Sequence, residues 1–308
     1  MISRELIRKV KKIEIVTRHY VQDTMAGQYH SIFKGRGMSF QEVRQYQIGD
    51  DIRLIDWNVS ARLGDVFVKL FVEEREVTVI LLVDVSGSTL FGTRGASKRE
   101  IIAEIAALLS FSAIENNDRV GLIMFSDRIE KFIPPKKGRK HVLRVVLSLL
   151  GSRTEGRRTD INVALDYLGK VLKRRSIVFL ISDFLGDHYY DSIKLAAKKH
   201  DFVPVEIFDP RERPPQPQTD VTDAGRGLVP MGLVLVEDPE TGETVWVNTS
   251  SRRVREGYAR ALKQEELVRG DFFRRNKIDA ITIDVSKPYM DPLLKFFKLR
   301  ARRARVRV

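Results

Sequence analysis

A chain of 308 residues with 43% apolar content is long enough to bury a full core, with room for one large domain and appendages. It has no cysteine, which excludes disulfides, thiolate metal sites and cysteine nucleophiles, and no apolar run approaches the roughly 18 residues that span a bilayer. The formal net charge of +13 implies attraction to something acidic, whether nucleic acid, an anionic membrane face or an acidic protein.

Residues 2 to 14 carry Ile2, Leu6, Val10 and Ile13 at the spacing of one helical face and predict a short basic amphipathic helix. Charge runs through this stretch and leaves no apolar core for a signal peptide, so a cytoplasmic protein is expected. From Gly27 to Phe71 the pattern changes to short segments punctuated by glycine, which predict irregular β structure too small to stand alone. Residues 1–75 are therefore expected to form a helix and a β-rich extension packed on a main domain of residues 76–308. Asp50, Asp51, Arg53, Asp56, Trp57 and Arg62 lie in that extension. They suit a turn whose carboxylates pair with nearby arginines, with Trp57 as an anchor, better than they suit a site.

From Val77 onward strands and helices alternate. VTVILLV at 77–83 is almost wholly apolar and β-branched, as in a strand buried on both faces. A helix over 98–117 follows, then the buried strand DRVGLIMFS. RIEKFIPP predicts an antiparallel edge strand stopped by Pro134 and Pro135, which cannot donate to a ladder. Helices over 140–150 and 160–172, the strand SIVFLISD, a helix over 192–199 and the strand FVPVEIF come next. The alternation predicts an α/β fold with a doubly wound, mostly parallel sheet. Residues 209–250 interrupt it as an insertion. Four prolines from Pro210 to Pro217 predict an extended linker, and GLVLVEDPETGETVWVN predicts a hairpin turning at 238–242. That hairpin suits cover for a sheet edge and a partner-facing insertion equally well. A helix over 252–275, the strand IDAITIDV and a helix over 288–305 complete the chain.

The 77–83 strand runs into Asp84, Ser86 and Ser88, just past the carboxyl end where open α/β sheets place their ligands. A carboxylate and two hydroxyls on one tight loop are hard oxygen donors suited to Mg²⁺ or Mn²⁺. The same residue types also terminate strands and cap helices. Thr159, before the 160–172 helix, and Asp183, closing the SIVFLIS strand, add two donors if the two strands are neighbours. Five oxygens around one octahedral ion leave at least one corner for water or a guest.

DVSGS at 84–88, RRTDINVAL at 157–165 and ISDF at 181–184 resemble the metal-ion-dependent adhesion site of von Willebrand factor A domains. The resemblance implies Asp84, Ser86, Ser88, Thr159 and Asp183 as ligands of Mg²⁺, with a Glu or Asp of a partner protein completing the shell. GRGMSFQEVRQYQIGDDIRLIDWNVSAR, FGTRGASKRE, IPPKKGRKHVL and DPETGETVWVNTS further resemble domain-of-unknown-function family 58, over nearly the whole chain. Members of that family are bacterial and archaeal proteins encoded beside MoxR-type AAA+ ATPases. The resemblance therefore implies such an ATPase, or its client, as the partner, and it implies no enzymatic activity. The departures are few. Thr89 stands where a Met is often found, Arg157 and Arg158 make the mouth of the site basic, and Phe184 stands where many A domains have Gly.

Only Asp84 and Asp183 are anionic in this set, so a bound cation keeps its electrophilic character and seeks an acidic oxygen. A metallohydrolase needs a general base or nucleophile as well. The five histidines, His19, His30, His141, His188 and His200, show no ligand-pair spacing and read as structural or solvated. There is no GxxxxGKS/T loop and no GxSxG elbow. A non-enzymatic protein-binding module is expected. The alternative is nucleic-acid binding by the basic C-terminal helix, where KLRARRARVRV has six basic residues and no acid. Those residues suit the solvated end of a helix better, and the tail alone does not make a nucleic-acid protein.

Overall fold

In the computed structural model the described residues are 4–20, 37–74, 76–90, 97–151, 154–156, 158–186, 188–210, 230–238 and 241–306. The chain divides into two compact units, one of Met1–Ile32 with Thr78–Val308 and one of Phe33–Val77. In the smaller unit β1 (Gly37–Gln45) pairs antiparallel with β2 (Phe67–Glu74), and between them lie a 3-10 turn (Ile52–Leu54) and helix α2 (Trp57–Leu63). Its carboxylates pair and cap as the turn chemistry predicts. Asp50 binds Arg44 at 2.6 Å, Asp51 binds Arg53 at 2.9 Å, and Asp56 caps α2 through the N–H groups of Asn58 and Val59. Trp57 is 70% exposed, which corrects the expected anchor. As the first residue of α2 it owes its place to the Asp56 cap and not to burial of its ring.

The larger unit comprises α1 (Arg4–Tyr20), β3 (Thr78–Asp84), α3 (Lys98–Glu115), β4 (Arg119–Phe125), β5 (Ile129–Lys136), α4 (Arg139–Gly151), α5 (Ile161–Val171), β6 (Ile177–Ser182), α6 (Tyr190–Lys199), β7 (Asp201–Phe208), β8 (Leu233–Glu237), β9 (Thr244–Asn248), α7 (Arg252–Arg275), β10 (Ile281–Asp284) and α8 (Met290–Val306). Six strands form the central sheet in the order β10-β7-β6-β3-β4-β5, parallel throughout except for β5 at one edge. Ile80 and Leu82 of β3, with Ile123, Phe125, Val178 and Leu180 of its neighbours, pack on Ile161, Leu165 and Leu168 of α5, Ile193 of α6 and Phe273 of α7. Strand alternation turns Val79, Leu81 and Val83 to the opposite face. There α3 lies against β3 and β4, and α1 lies against α3 and α4. Helices thus cover both faces, and the fold is the doubly wound, mostly parallel α/β sheet that the alternation predicts.

One detail departs from expectation. β5 runs through Pro134 and Pro135 to Lys136 instead of ending at them. It is an edge strand, and a register shift opposite Val120 and Leu122 of β4 accommodates the missing donors. The predicted hairpin is present: β8 and β9 form an antiparallel sheet with Leu233, Leu235, Val245 and Trp246 exposed, and among the described residues neither strand joins the central sheet. The predicted linker lies mostly in residues 211–229, outside the described residues. In the basic C-terminal helix, Arg300 pairs with Asp201 at 2.8 Å and with Asp279 at 3.1 Å, and Arg303 pairs with Asp279 at 2.6 Å. Among the described residues no helix is long and apolar enough to cross a membrane.

Arg269 of α7 and Glu206 of β7 form a buried ion pair, each side chain 8% exposed, and Thr282 of β10 donates to the second Glu206 oxygen at 3.3 Å. Removing one partner strands the other charge in the interior, which costs about 3–5 kcal/mol, whereas replacing both by apolar groups costs far less. Arg269→Met is therefore expected to lower the urea midpoint sharply, and adding Glu206→Leu to the same chain to restore most of the loss.

Candidate functional site

Asp84, the last residue of β3, pairs with Phe125 of β4, and Val83 pairs with Ile181 of β6. Three parallel strands therefore deliver their carboxyl ends to one line. The chain leaves β3 through α3 for β4 on one side and returns to β6 on the other. That reversal makes the crevice between the ends of β3 and β6 a topological switch point, the place where open α/β sheets bind ligands. Asp84 and Asp183 stand on its two sides.

Asp84 is wholly buried. Its Oδ1 accepts the Ser86 N–H at 2.9 Å and its Oδ2 accepts the Ser182 hydroxyl at 2.7 Å. The Ser86 and Ser88 hydroxyls, both buried, lie 3.2 Å apart, and the Thr89 hydroxyl closes the turn by donating to the Ser86 carbonyl at 2.7 Å. Asp183 is also buried. Its Oδ1 accepts the Leu185 N–H at 3.3 Å, and its Oδ2 lies 3.3 Å from the ammonium of Lys98 at the start of α3. Burial first, and then the negative charge of Asp183, push the Asp84 pKa up to about 7, against hydrogen bonds from Ser86 and Ser182 that pull it down. The neighbouring Arg99 guanidinium donates to the Val85 carbonyl at 2.8 Å.

Thr159 arrives on the loop between α4 and α5. The next residue, Asp160, donates its N–H to the Ser126 carbonyl just beyond β4 at 3.0 Å and caps α5 through the Asn162 N–H at 2.9 Å. On the far side, the Thr159 carbonyl oxygen lies 3.8 Å from where a Cβ on Gly186 would stand, in the loop after β6. The Thr159 backbone thus bridges from the end of β4 to the loop after β6, the two strands that flank β3. Glu130 of β5 holds this loop by accepting the Gly156 N–H at 2.8 Å, the Glu155 N–H at 3.3 Å and the Ser126 hydroxyl at 2.7 Å. Gly156 has no room for a side chain, since a Cβ would collide with Ser126 Oγ and Asp127 Oδ1.

Of the five residues singled out in the sequence, Asp84, Ser86 and Ser88 share one turn, and Asp183 is close enough to act on the charge of Asp84. Thr159 is brought to the same sheet end by its backbone. Among the described residues no three carboxylate, imidazole or thiolate groups converge, so the oxygens here are two carboxylates with hydroxyls. Ser182, Lys98 and Glu130 escaped the sequence reading. Ser182 carried a signal, because it lies one residue before Asp183 on a strand beside β3 and its side chain reaches Asp84. Lys98 and Glu130 carried none, since a lysine opening a helix and a glutamate on an edge strand both read as solvated. Among the histidines, the His141 ring meets the Val120 carbonyl at 2.8 Å, and His188 is exposed. His200 is buried, accepts the Ser176 N–H at 3.3 Å and is held down at about 4, chiefly by burial. Arg158 is exposed, and Arg157 and His30 lie outside the described residues.

The fold and these side chains define a doubly wound α/β protein with a buried polar site at the ends of its central strands. The chain belongs to the family described as Protein of unknown function DUF58, which matches residues 42–268. The uncharacterised protein Rv1480 of Mycobacterium tuberculosis is 26% identical over 304 residues, covering 97% of this chain and 91% of that one. BatB from Bacteroides thetaiotaomicron, a solved structure, is 16% identical with a TM-score of 0.45, over 73% of this chain and 99% of that chain. The VWA domain of SpRpn10 is 12% identical with a TM-score of 0.34, over 43% of this chain and 75% of that chain.

With its pKa at about 7 in the folded protein and an ordinary value of 3.8, Asp84 keeps a proton that the unfolded chain has already released across the interval between them. Folding stability contributed by this group therefore falls as pH rises through that interval. Urea denaturation in EDTA at a series of pH values is expected to show the fall, and Asp84→Asn to flatten it.

Proposed function

We propose that the protein is a non-enzymatic protein-binding module whose site at the ends of β3 and β6 holds a divalent cation, Mg²⁺ with Mn²⁺ as the alternative. The ligands would be Asp84, Ser86, Ser88, Thr159 and Asp183. The observation that carries this reading is the burial of two mutually repelling carboxylates beside a pair of hydroxyls at the switch point of the sheet. Such a group is rich in hard oxygen donors, the chemistry that a small divalent cation satisfies. When bound, the cation would supply an electrophilic position for a carboxylate oxygen, here the Glu or Asp of a partner protein. The chain's own side chains orient the donors. Ser182 and the Ser86 N–H hold the Asp84 carboxylate, and Glu130 holds the loop that carries Thr159.

Binding is favoured over catalysis by what the candidate bases are doing. His200 is a buried acceptor for the backbone, and His141 is engaged with the Val120 carbonyl, so neither is offered to a substrate. The family resemblance points to a MoxR-type AAA+ ATPase or its client as the partner, with a role in protein maturation or complex assembly. A reducing, cytoplasmic setting goes with a cysteine-free chain.

Isothermal titration of the protein with MgCl₂ is expected to show one site that Asp84→Asn abolishes while the circular dichroism spectrum is unchanged. A pull-down from the native host is expected to recover the partner in Mg²⁺ and to lose it in EDTA. Partner recovery undiminished by EDTA overturns the proposal.

A further inference from the structure

Lys98 is the one residue at this site whose position works against every local preference. Its side chain is 1% exposed, although lysine is almost never fully buried unless it is paired. It is also the first residue of α3, directly after the Ser97 cap, where the helix dipole disfavours a cation. What offsets both is Asp183, whose Oδ2 lies 3.3 Å away and whose side chain is 3% exposed. The ammonium therefore sits where a cation is wanted, on a carboxylate that is also a candidate metal ligand.

We propose that the Lys98 ammonium is the site's built-in cation, which occupies Asp183 until a divalent ion claims that carboxylate and so sets how tightly the site loads. This rests on the metal reading above. A divalent ion bound by Asp84 and Asp183 would lie within a few ångströms of the ammonium in its present place. Like charges at roughly 4 Å repel enough, even at an effective dielectric of about 20, to cost well over tenfold in affinity. Loading therefore requires Lys98 to withdraw from Asp183, and because Lys98 opens α3, that withdrawal begins at the end of the helix that follows the DVSGS turn. The neighbouring Arg99 donates to the Val85 carbonyl and its charge acts on Asp84 and Glu130, whereas the cation on Asp183 is Lys98. The lysine keeps the buried carboxylates compensated without metal, and metal binding becomes an exchange of one cation for another.

The test compares the full wild-type chain with Lys98→Met, which keeps the bulk of the side chain and removes its charge. Lys98→Met is expected to bind Mg²⁺ at least about tenfold more tightly by titration calorimetry. It is also expected to melt at a lower temperature than wild type in EDTA and to gain more from added Mg²⁺. In the wild-type chain, acylation of Lys98 by an amine-reactive reagent, read by peptide mass spectrometry, is expected to rise on adding Mg²⁺. This labelling decides the matter if the variant does not fold. Equal or weaker Mg²⁺ binding by Lys98→Met, or Lys98 labelling unchanged when Mg²⁺ is bound, overturns the inference and leaves the metal reading standing. Mg²⁺ binding by neither chain overturns both.

Discussion

Two carboxylates buried at the ends of adjacent parallel strands set the terms for the rest of the large unit. Both Asp84 and Asp183 are buried, and burial together with the charge of Asp183 raises the cost of ionising Asp84. The protein offsets that cost with directed donors. The Ser86 N–H and the Ser182 hydroxyl serve Asp84, while the Leu185 N–H and the Lys98 ammonium serve Asp183. An apolar pair of the same size would stabilise the core at less cost.

The scaffold around them is rigid for the same reason that it is buried. β3 is covered on both faces and paired on both sides, so Asp84 is fixed by the backbone ladder and not by a loop. The loop bearing Thr159 has no ladder, and side chains replace it. Glu130 reaches from an edge strand to take two of its N–H groups, and Gly156 allows the close approach that this requires. Three strand ends and one tethered loop thus meet at this end of the sheet.

Charge is distributed unevenly over the remainder. Arg300 and Arg303 of α8 are spent on Asp201 and Asp279, so part of the C-terminal positive charge is neutralised within the fold. The β8–β9 hairpin, by contrast, leaves Leu233, Leu235, Val245 and Trp246 open to solvent and pairs with no other strand among the described residues.

Much of this molecule was legible in the sequence because its signals are local. Apolar runs announced β3, β4, β6 and β7, helical spacing announced α3 and α5, and Asp84, Ser86 and Ser88 fall on one turn by adjacency alone. The departures are local too. Pro134 and Pro135 predict the end of a strand that an edge position lets continue, and the anchor that Trp57 predicts is absent because a capping aspartate places that residue without burying it. Tertiary structure alone decided that β6 lies beside β3, so that Asp183 faces Asp84 across nearly a hundred residues of chain. It also decided that a lysine opening α3 would be buried against that carboxylate, and that an edge-strand glutamate would hold the Thr159 loop. Strand order and burial depend on how the whole chain folds back on itself, and no window of sequence carries that information.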